Sequence, residues 1–119
     1  MKRLTTAEEQ VMLILWKRGK AFVKEILSDI PEPKPAYNTV STVVRVLETK
    51  GFVGYESYGR THQYFPLIAQ EDYSGAEMNK LLNDHFNGSV KRMLSFFMEE
   101  QSLSLSDLDE ILKQQEKDD

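Results

Sequence analysis

Between two segments that break a helix, Pro31-Glu32-Pro33-Lys34-Pro35 and Lys50-Gly51, the chain places Val40, Val43, Val44 and Leu47 at spacing i, i+3, i+4 and i+7. That spacing puts four apolar side chains on one face of an α-helix, with a repeat of 3.6 that no strand can use. The β-branched content alone favours a strand. The period, the prolines that exclude helix before Ala36 and the Lys50-Gly51 stop signal decide for a helix over about Ala36 to Lys50. Its opposite face carries Asn38, Thr42, Arg45 and Thr49, with Thr39 and Val46 along one border and Glu48 toward the side. The face is polar, short-chained and nearly free of acid.

What flanks this helix limits the fold further. After Gly51 the pattern turns extended, Phe52 to Tyr58, then a Gly59-Arg60 turn, then Thr61 to Leu67, where Pro66 limits the ladder. This is a hairpin with a basic tip. Upstream, Thr6 with Glu9 reads as a capping box opening a first helix, which Lys17, Arg18 and Gly19 close. Val11 through Trp16 make that helix apolar on nearly all sides, so it is expected to be sandwiched. A short extended step at Ala21-Phe22 leads to a second helix over about Val23 to Ile30. Three helices followed at once by a hairpin predict a winged helix-turn-helix, with the third helix as reader and the hairpin as wing.

From Gln70 onward the chain reads as three helices. Met78, Leu81, Leu82 and Phe86 stripe the first, which ends at Asn87-Gly88. Ser89 caps the second, striped by Val90, Met93, Leu94 and Phe97. Ser104 and Asp107 form a capping box for the third, striped by Leu108, Ile111 and Leu112, with a polar, frayed tail expected from Gln114. Short helices with so much apolar surface have little of their own to bury it in, and a symmetric partner is the economical solution. The expected fold class is therefore mainly α with a small antiparallel β-hairpin. A winged helix-turn-helix over residues 1–68 is followed by a helical dimerisation region over 69–119.

Charge divides at the same place. Residues 1–68 hold ten Lys and Arg against seven Asp and Glu, a net +3, whereas 69–119 hold five against twelve, a net −7. An anionic partner is thus expected at the first half. The chain has no cysteine, which removes disulfides, thiol catalysis and thiolate-held zinc. His62 and His85 lie far apart on elements of different kinds, and no phosphate loop or nucleophile elbow occurs, so neither metal, cofactor nor enzyme activity is expected. The longest apolar run, Val11 to Trp16, is too short to span a bilayer, and a cytoplasmic protein without direct membrane binding is expected.

The B-DNA major groove admits one α-helix and is read by short polar side chains and Arg, with methyl groups meeting thymine methyls. Asn38 and Thr39, at the helix end that inserts deepest, are the expected base readers, with Thr42 and Arg45 on bases or phosphates. Arg60 at the wing tip, beside Tyr58, Gly59, Thr61 and His62, is expected to hold the flanking backbone. A solvated polar face is the bland alternative, and the basic hairpin directly after the helix argues against it. Met93, Phe96, Phe97 and Met98 read as core or dimer contact rather than a small-molecule pocket. A winged helix serving as a protein-interaction module, its acidic half binding a basic partner, is the rival from another class.

Several segments together resemble the penicillinase-repressor family, the BlaI/MecI/CopY group of winged-helix regulators. They are Leu4-Thr5-Thr6-Ala7-Glu8-Glu9 with Leu15-Trp16, Tyr37-Asn38-Thr39-Val40-Ser41-Thr42 with Leu47 and Lys50-Gly51, Gly59-Arg60 with Tyr64 and Pro66-Leu67, and Phe86-Asn87-Gly88-Ser89-Val90. The resemblance implies a homodimeric repressor on a palindromic double-stranded DNA operator overlapping a promoter, often of resistance or metal-homeostasis genes. The copper-responsive branch carries a C-terminal cysteine cluster that this chain lacks. In the β-lactam branch a membrane sensor protease system leads to cleavage of an Asn-Phe bond in the second C-terminal helix. The matching pair here, Phe96-Phe97, is the candidate proteolytic site, with Phe where the Asn stands. Val46 replaces a basic residue of some members, which implies a different operator sequence.

Overall fold

A computed structural model describes residues 1–118, and side chains as far as Glu116. The elements run α1 (Thr6–Arg18), β1 (Ala21–Phe22), α2 (Val23–Asp29), α3 (Tyr37–Thr49), β2 (Val53–Tyr58), β3 (Thr61–Pro66), α4 (Gln70–Phe86), α5 (Val90–Glu99) and α6 (Leu105–Asp118). The chain divides into two compact units, Met1–Gly75 and Ala76–Asp119.

In the first unit the inward stripe of α3 behaves as its period requires. Val40, Val44 and Leu47 are buried and Val43 packs on the same cluster. They meet Met12 and Leu15 of α1, Ile26 of α2, and Phe52 and Val53 from the start of the wing, all essentially inaccessible. Burying each such side chain is worth roughly 1.5–3 kcal/mol. Helix α1 is not sandwiched as its composition suggested. Val11, Met12 and Leu15 face the core, while Leu13 remains 48% exposed on the outer side.

The cap of α1 lies one residue earlier than the sequence pattern suggested. Thr5, not Thr6, is the N-cap: its hydroxyl accepts from the Glu8 amide at 3.2 Å, and the Glu8 carboxylate accepts from the Thr5 amide at 2.9 Å. Two overlapping Thr-x-x-Glu frames occur here, and tertiary contacts choose between them. Glu8 is buried against Lys50 Nζ at 2.6 Å, whereas Glu9 accepts from the Tyr73 hydroxyl, also at 2.6 Å. At the other end of the helix pair, Arg18 grips Asp29 through Nε at 2.6 Å and Nη2 at 3.0 Å. This contact raises the pKa of the guanidinium, and the hydrogen bond from Arg18 holds the Asp29 carboxyl below its usual range. Lys34 folds back from the proline-rich segment, where the Glu32–Pro33 peptide is cis, to donate to the carbonyls of Leu27, Ser28 and Ile30. It thereby satisfies the free C-terminal end of α2.

The hairpin has the expected two-residue turn. Gly59 takes φ +62°, a conformation open to glycine and strained for other residues, and Tyr58 pairs with Thr61 across it. The sheet is larger than a hairpin, since the extended step β1 adds a third strand in the order β1-β3-β2, pairing Ala21 with Tyr64 and Phe22 with Gln63. Two residues give no alternation to read, so only the pairing reveals this strand.

The first unit extends to Gly75, beyond the boundary expected at residue 68. The first turn of α4 supplies Tyr73, which is 6% exposed and lies 5.5 Å from Trp16 and 6.1 Å from Phe52 between ring centroids. The Trp16 indole donates to the Ile68 carbonyl at 2.9 Å, which anchors the exit from the wing.

In the second unit both predicted caps form. Ser89 accepts from the Arg92 amide at 3.1 Å, and Ser104 and Asp107 exchange bonds of 3.0 and 3.1 Å. The polar tail expected to fray from Gln114 is instead the last turns of α6, and Asp119 lies outside the described residues. Among the described residues no helix is long and apolar enough to cross a membrane.

Candidate nucleic-acid interface

The outward face of α3 stands free. Asn38, Thr39, Thr42, Arg45 and Thr49 are all exposed, and Val46 is 38% exposed. No side chain caps its N-terminus, where Ala36 is the N-cap, and no acid occupies its first turn. The amide ends and positive dipole of that turn therefore remain accessible to an anion.

The fold splits this face into two strips. One, with Tyr37, Asn38, Ser41, Arg45 and Glu48, forms a wall of a groove of about 570 Å³. Opposite stands the wing, with Arg60, Thr61 and His62, and Lys24 at the start of α2 contributes a further cation. Of the expected readers, Asn38, Arg45, Arg60 and Thr61 thus share one groove. Arg45 is oriented by a 3.2 Å bond to Ser41 Oγ. The wing's groove-facing side is aromatic: Tyr55 stacks on His62 at 4.1 Å and 4°, with Tyr64 within 6.1 Å of both. Burial, with the Glu48 carboxylate nearby, raises the Tyr64 pKa, so the phenol keeps its proton.

The other strip carries Thr39, Thr42, Val46 and Thr49. Thr39 lines a separate recess of about 390 Å³ beside Pro31, Pro33, Pro35 and α1, so it is not brought to the groove with Asn38. Tyr58 and Gly59 also lie away from the groove lining. The Tyr58 ring meets Phe22 edge-on at 5.8 Å and its hydroxyl donates to Glu56 at 2.9 Å, a bond that raises the phenol's pKa.

Lys24, Tyr37, Ser41, Tyr55 and Tyr64 were not singled out from the sequence as lining this site. The period-2 register of the hairpin places Tyr55, His62 and Tyr64 on one face, which is a readable signal. Lys24 depends on the β1–β3 pairing, which is not readable.

In the second unit the apolar stripes have no interior. None of the residues 76–116 is buried. Leu82, Phe86, Met93, Leu94, Phe97 and Leu108 are half-covered, while Leu81, Val90, Phe96, Ile111 and Leu112 are exposed. Phe96 touches Phe86 at 5.9 Å and Phe97 at 5.6 Å, so the candidate cleavage pair sits inside the apolar stripe.

Residues 4–117 match the model of a family described as penicillinase repressor. The chain belongs to the penicillinase repressor family. The penicillinase repressor of Bacillus licheniformis is 26% identical over 110 residues, covering 92% of this chain and 86% of that protein. The methicillin resistance regulatory protein MecI of Staphylococcus aureus is 25% identical over 109 residues, covering 91% and 89%. Among solved structures, the DNA binding domain of the repressor BlaI matches with TM-score 0.53 and 27% identity, over 61% of this chain and 94% of that domain. Penicillinase repressors are transcriptional repressors and not enzymes. This member keeps the winged-helix arrangement of the BlaI domain through its first unit.

Proposed function

We propose that this chain represses transcription as a homodimer that sets two copies of α3 into successive major grooves of a palindromic operator. The single observation that carries the reading is the groove shared by Asn38 and Arg45 of α3 and Arg60 and Thr61 of the wing. A reading helix and a phosphate-gripping hairpin tip act together on one side of the molecule. Asn38 and Arg45 read base edges, Thr39 and Thr42 meet the adjoining bases, and Arg60, flanked by Tyr58, Gly59 and Thr61, holds the backbone. The net +3 of residues 1–68 favours the approach of a polyanion.

The second copy is argued from the second unit, whose helices α4 to α6 expose their apolar stripes. Such surface is covered most directly by its own equivalent about a two-fold axis. Release by a membrane sensor protease at Phe96-Phe97 belongs to the same reading. The Phe96 carbonyl accepts from the Glu100 amide at 3.0 Å and the Phe97 carbonyl from the Ser102 amide at 2.9 Å, so α5 must open locally before that bond can be cut. A repressor of this kind works in the cytoplasm, where the operator is.

The test is selection of duplexes from a random pool by the full chain, followed by a salt titration on the enriched site. An inverted repeat with half-sites centred about one helical turn apart, or a multiple of it, and affinity falling steeply with salt are expected. Failure to enrich any duplex at low salt, with capture of a basic protein partner by the acidic half, would favour the interaction-module reading.

A further inference from the structure

Thr39, Thr42, Val46 and Thr49 fall at i, i+3, i+7 and i+10, one continuous ridge along the exposed side of α3. A row of threonines in a reading helix suggests hydroxyl groups donating to bases. The hydrogen bonds assign them otherwise. The Thr42 hydroxyl donates to the Asn38 carbonyl at 2.9 Å, and the Thr49 hydroxyl donates to the Arg45 carbonyl at 3.1 Å. Each threonine has one hydroxyl proton, and in both it is spent on the helix's own backbone. What these side chains have left to offer is a methyl group and oxygen lone pairs. Val46, between them and 38% exposed, offers only methyls.

An exposed valine flanked by two threonines with committed protons is a poor reader of hydrogen-bonding edges and a good surface for apolar contact. In the major groove one base edge is apolar, the C5-methyl of thymine. We infer that the Thr42–Val46–Thr49 ridge reads thymine methyl groups, so that each operator half-site holds a run of A·T pairs under the middle of α3. Asn38 and Arg45, on the groove-facing strip, read the hydrogen-bonding edges beside it. The inference rests on the DNA-binding reading above and adds which base the apolar strip selects. It divides the helix into a hydrogen-bonding strip and a methyl-reading strip.

Replacing thymine by deoxyuridine removes only the methyl and leaves base pairing intact, so it probes the ridge without altering the protein. On the duplex enriched from the random pool, thymines under the ridge are substituted singly and affinity is measured by fluorescence anisotropy. Each substitution is expected to weaken binding about fourfold, the worth of roughly one buried methyl group. In Val46→Ala, an exposed position whose folding is checked by thermal melting, the penalty at one thymine should shrink. Tight, sequence-selective binding that is indifferent to deoxyuridine at every thymine overturns the ridge while leaving the repressor reading intact. A deoxyuridine penalty unchanged in Val46→Ala and equally in Thr42→Ser overturns it as well, because the methyls would then be read elsewhere. No enriched duplex at all overturns both readings together.

Discussion

The Tyr73 hydroxyl donates to Glu9 Oε2 at 2.6 Å across 64 positions of sequence, tying the first turn of α4 to α1. Its ring fills the space between Trp16 and Phe52, so the exit from the winged unit is fixed by one side chain that is both apolar plug and charge-assisted donor. Tyr73→Phe keeps the plug and removes the bond, for an expected loss of about 1.5–3 kcal/mol. Tyr73→Ala also opens a cavity and should lose about 3–5 kcal/mol. Urea unfolding of the two variants separates the contributions; equal losses would assign the whole effect to the hydroxyl's bond with Glu9 and none to the ring.

Arg60 and Asn38 should differ in kind when removed. Arg60→Ala deletes one phosphate contact, so the slope of log affinity against log salt should fall by about 0.9 while base preference is unchanged. Asn38→Ala should leave the slope alone and relax preference at one base pair by about 1–3 kcal/mol. Salt titrations on the enriched site and on single-base variants of it check both. A slope unaffected by Arg60→Ala would remove the wing tip from the phosphate set.

Acid should act through Glu8. Burial works to raise its pKa, but the hydrogen bond from Lys50 and the bond from the Thr5 amide outweigh it and hold the carboxyl below the usual range. A lowered folded-state value contributes stability above the ordinary glutamate pKa of about 4.3, and the contribution is lost as pH falls through the folded value. Glu8→Gln should therefore destabilise at neutral pH, by about 1–2 kcal/mol. The difference from the wild type should close as pH falls from about 6 to 3. Melting curves across that range test it; a gap that stays constant would mean that the capping geometry, and not the charge, carries the effect.

How much of this was legible in the sequence depends on how local the signal is. The inward stripe of α3, the Gly59-Arg60 turn and the caps at Ser89 and Ser104 are set by residues within a turn or two of each other, and each forms as its spacing requires. The choice of Thr5 over Thr6 was not legible, because both frames satisfy the capping rule and the decision falls to Lys50 and Tyr73, 42 and 64 residues away from their partners. The same holds for β1, whose two residues become a strand only by pairing with β3. At the candidate site, the polar face of α3 was readable as a face. Its division was not, because Thr39 is drawn toward the proline-rich segment and Lys24 reaches the groove through a strand pairing.

The second unit makes the sharpest demand on assembly. A helical unit in which none of residues 76–116 is buried cannot be held together by its own core, and its apolar stripes need a second surface. Leu82 and Phe97 are half-covered, on α4 and α5, so each stands where added surface would complete its burial. Leu82→Asp or Phe97→Asp places a carboxylate that must be desolvated twice in a symmetric interface, and the dimer should dissociate to monomers. Sedimentation velocity reads the mass directly, and binding to a full palindrome should fall far more than binding to a single half-site, because two linked readers lose their effective concentration for each other. The winged unit, with its separate core around Leu15 and Leu47, should keep its fold in both variants, checked by near-ultraviolet circular dichroism of Trp16. A variant that remains dimeric with either aspartate in place would move the interface off these two helices.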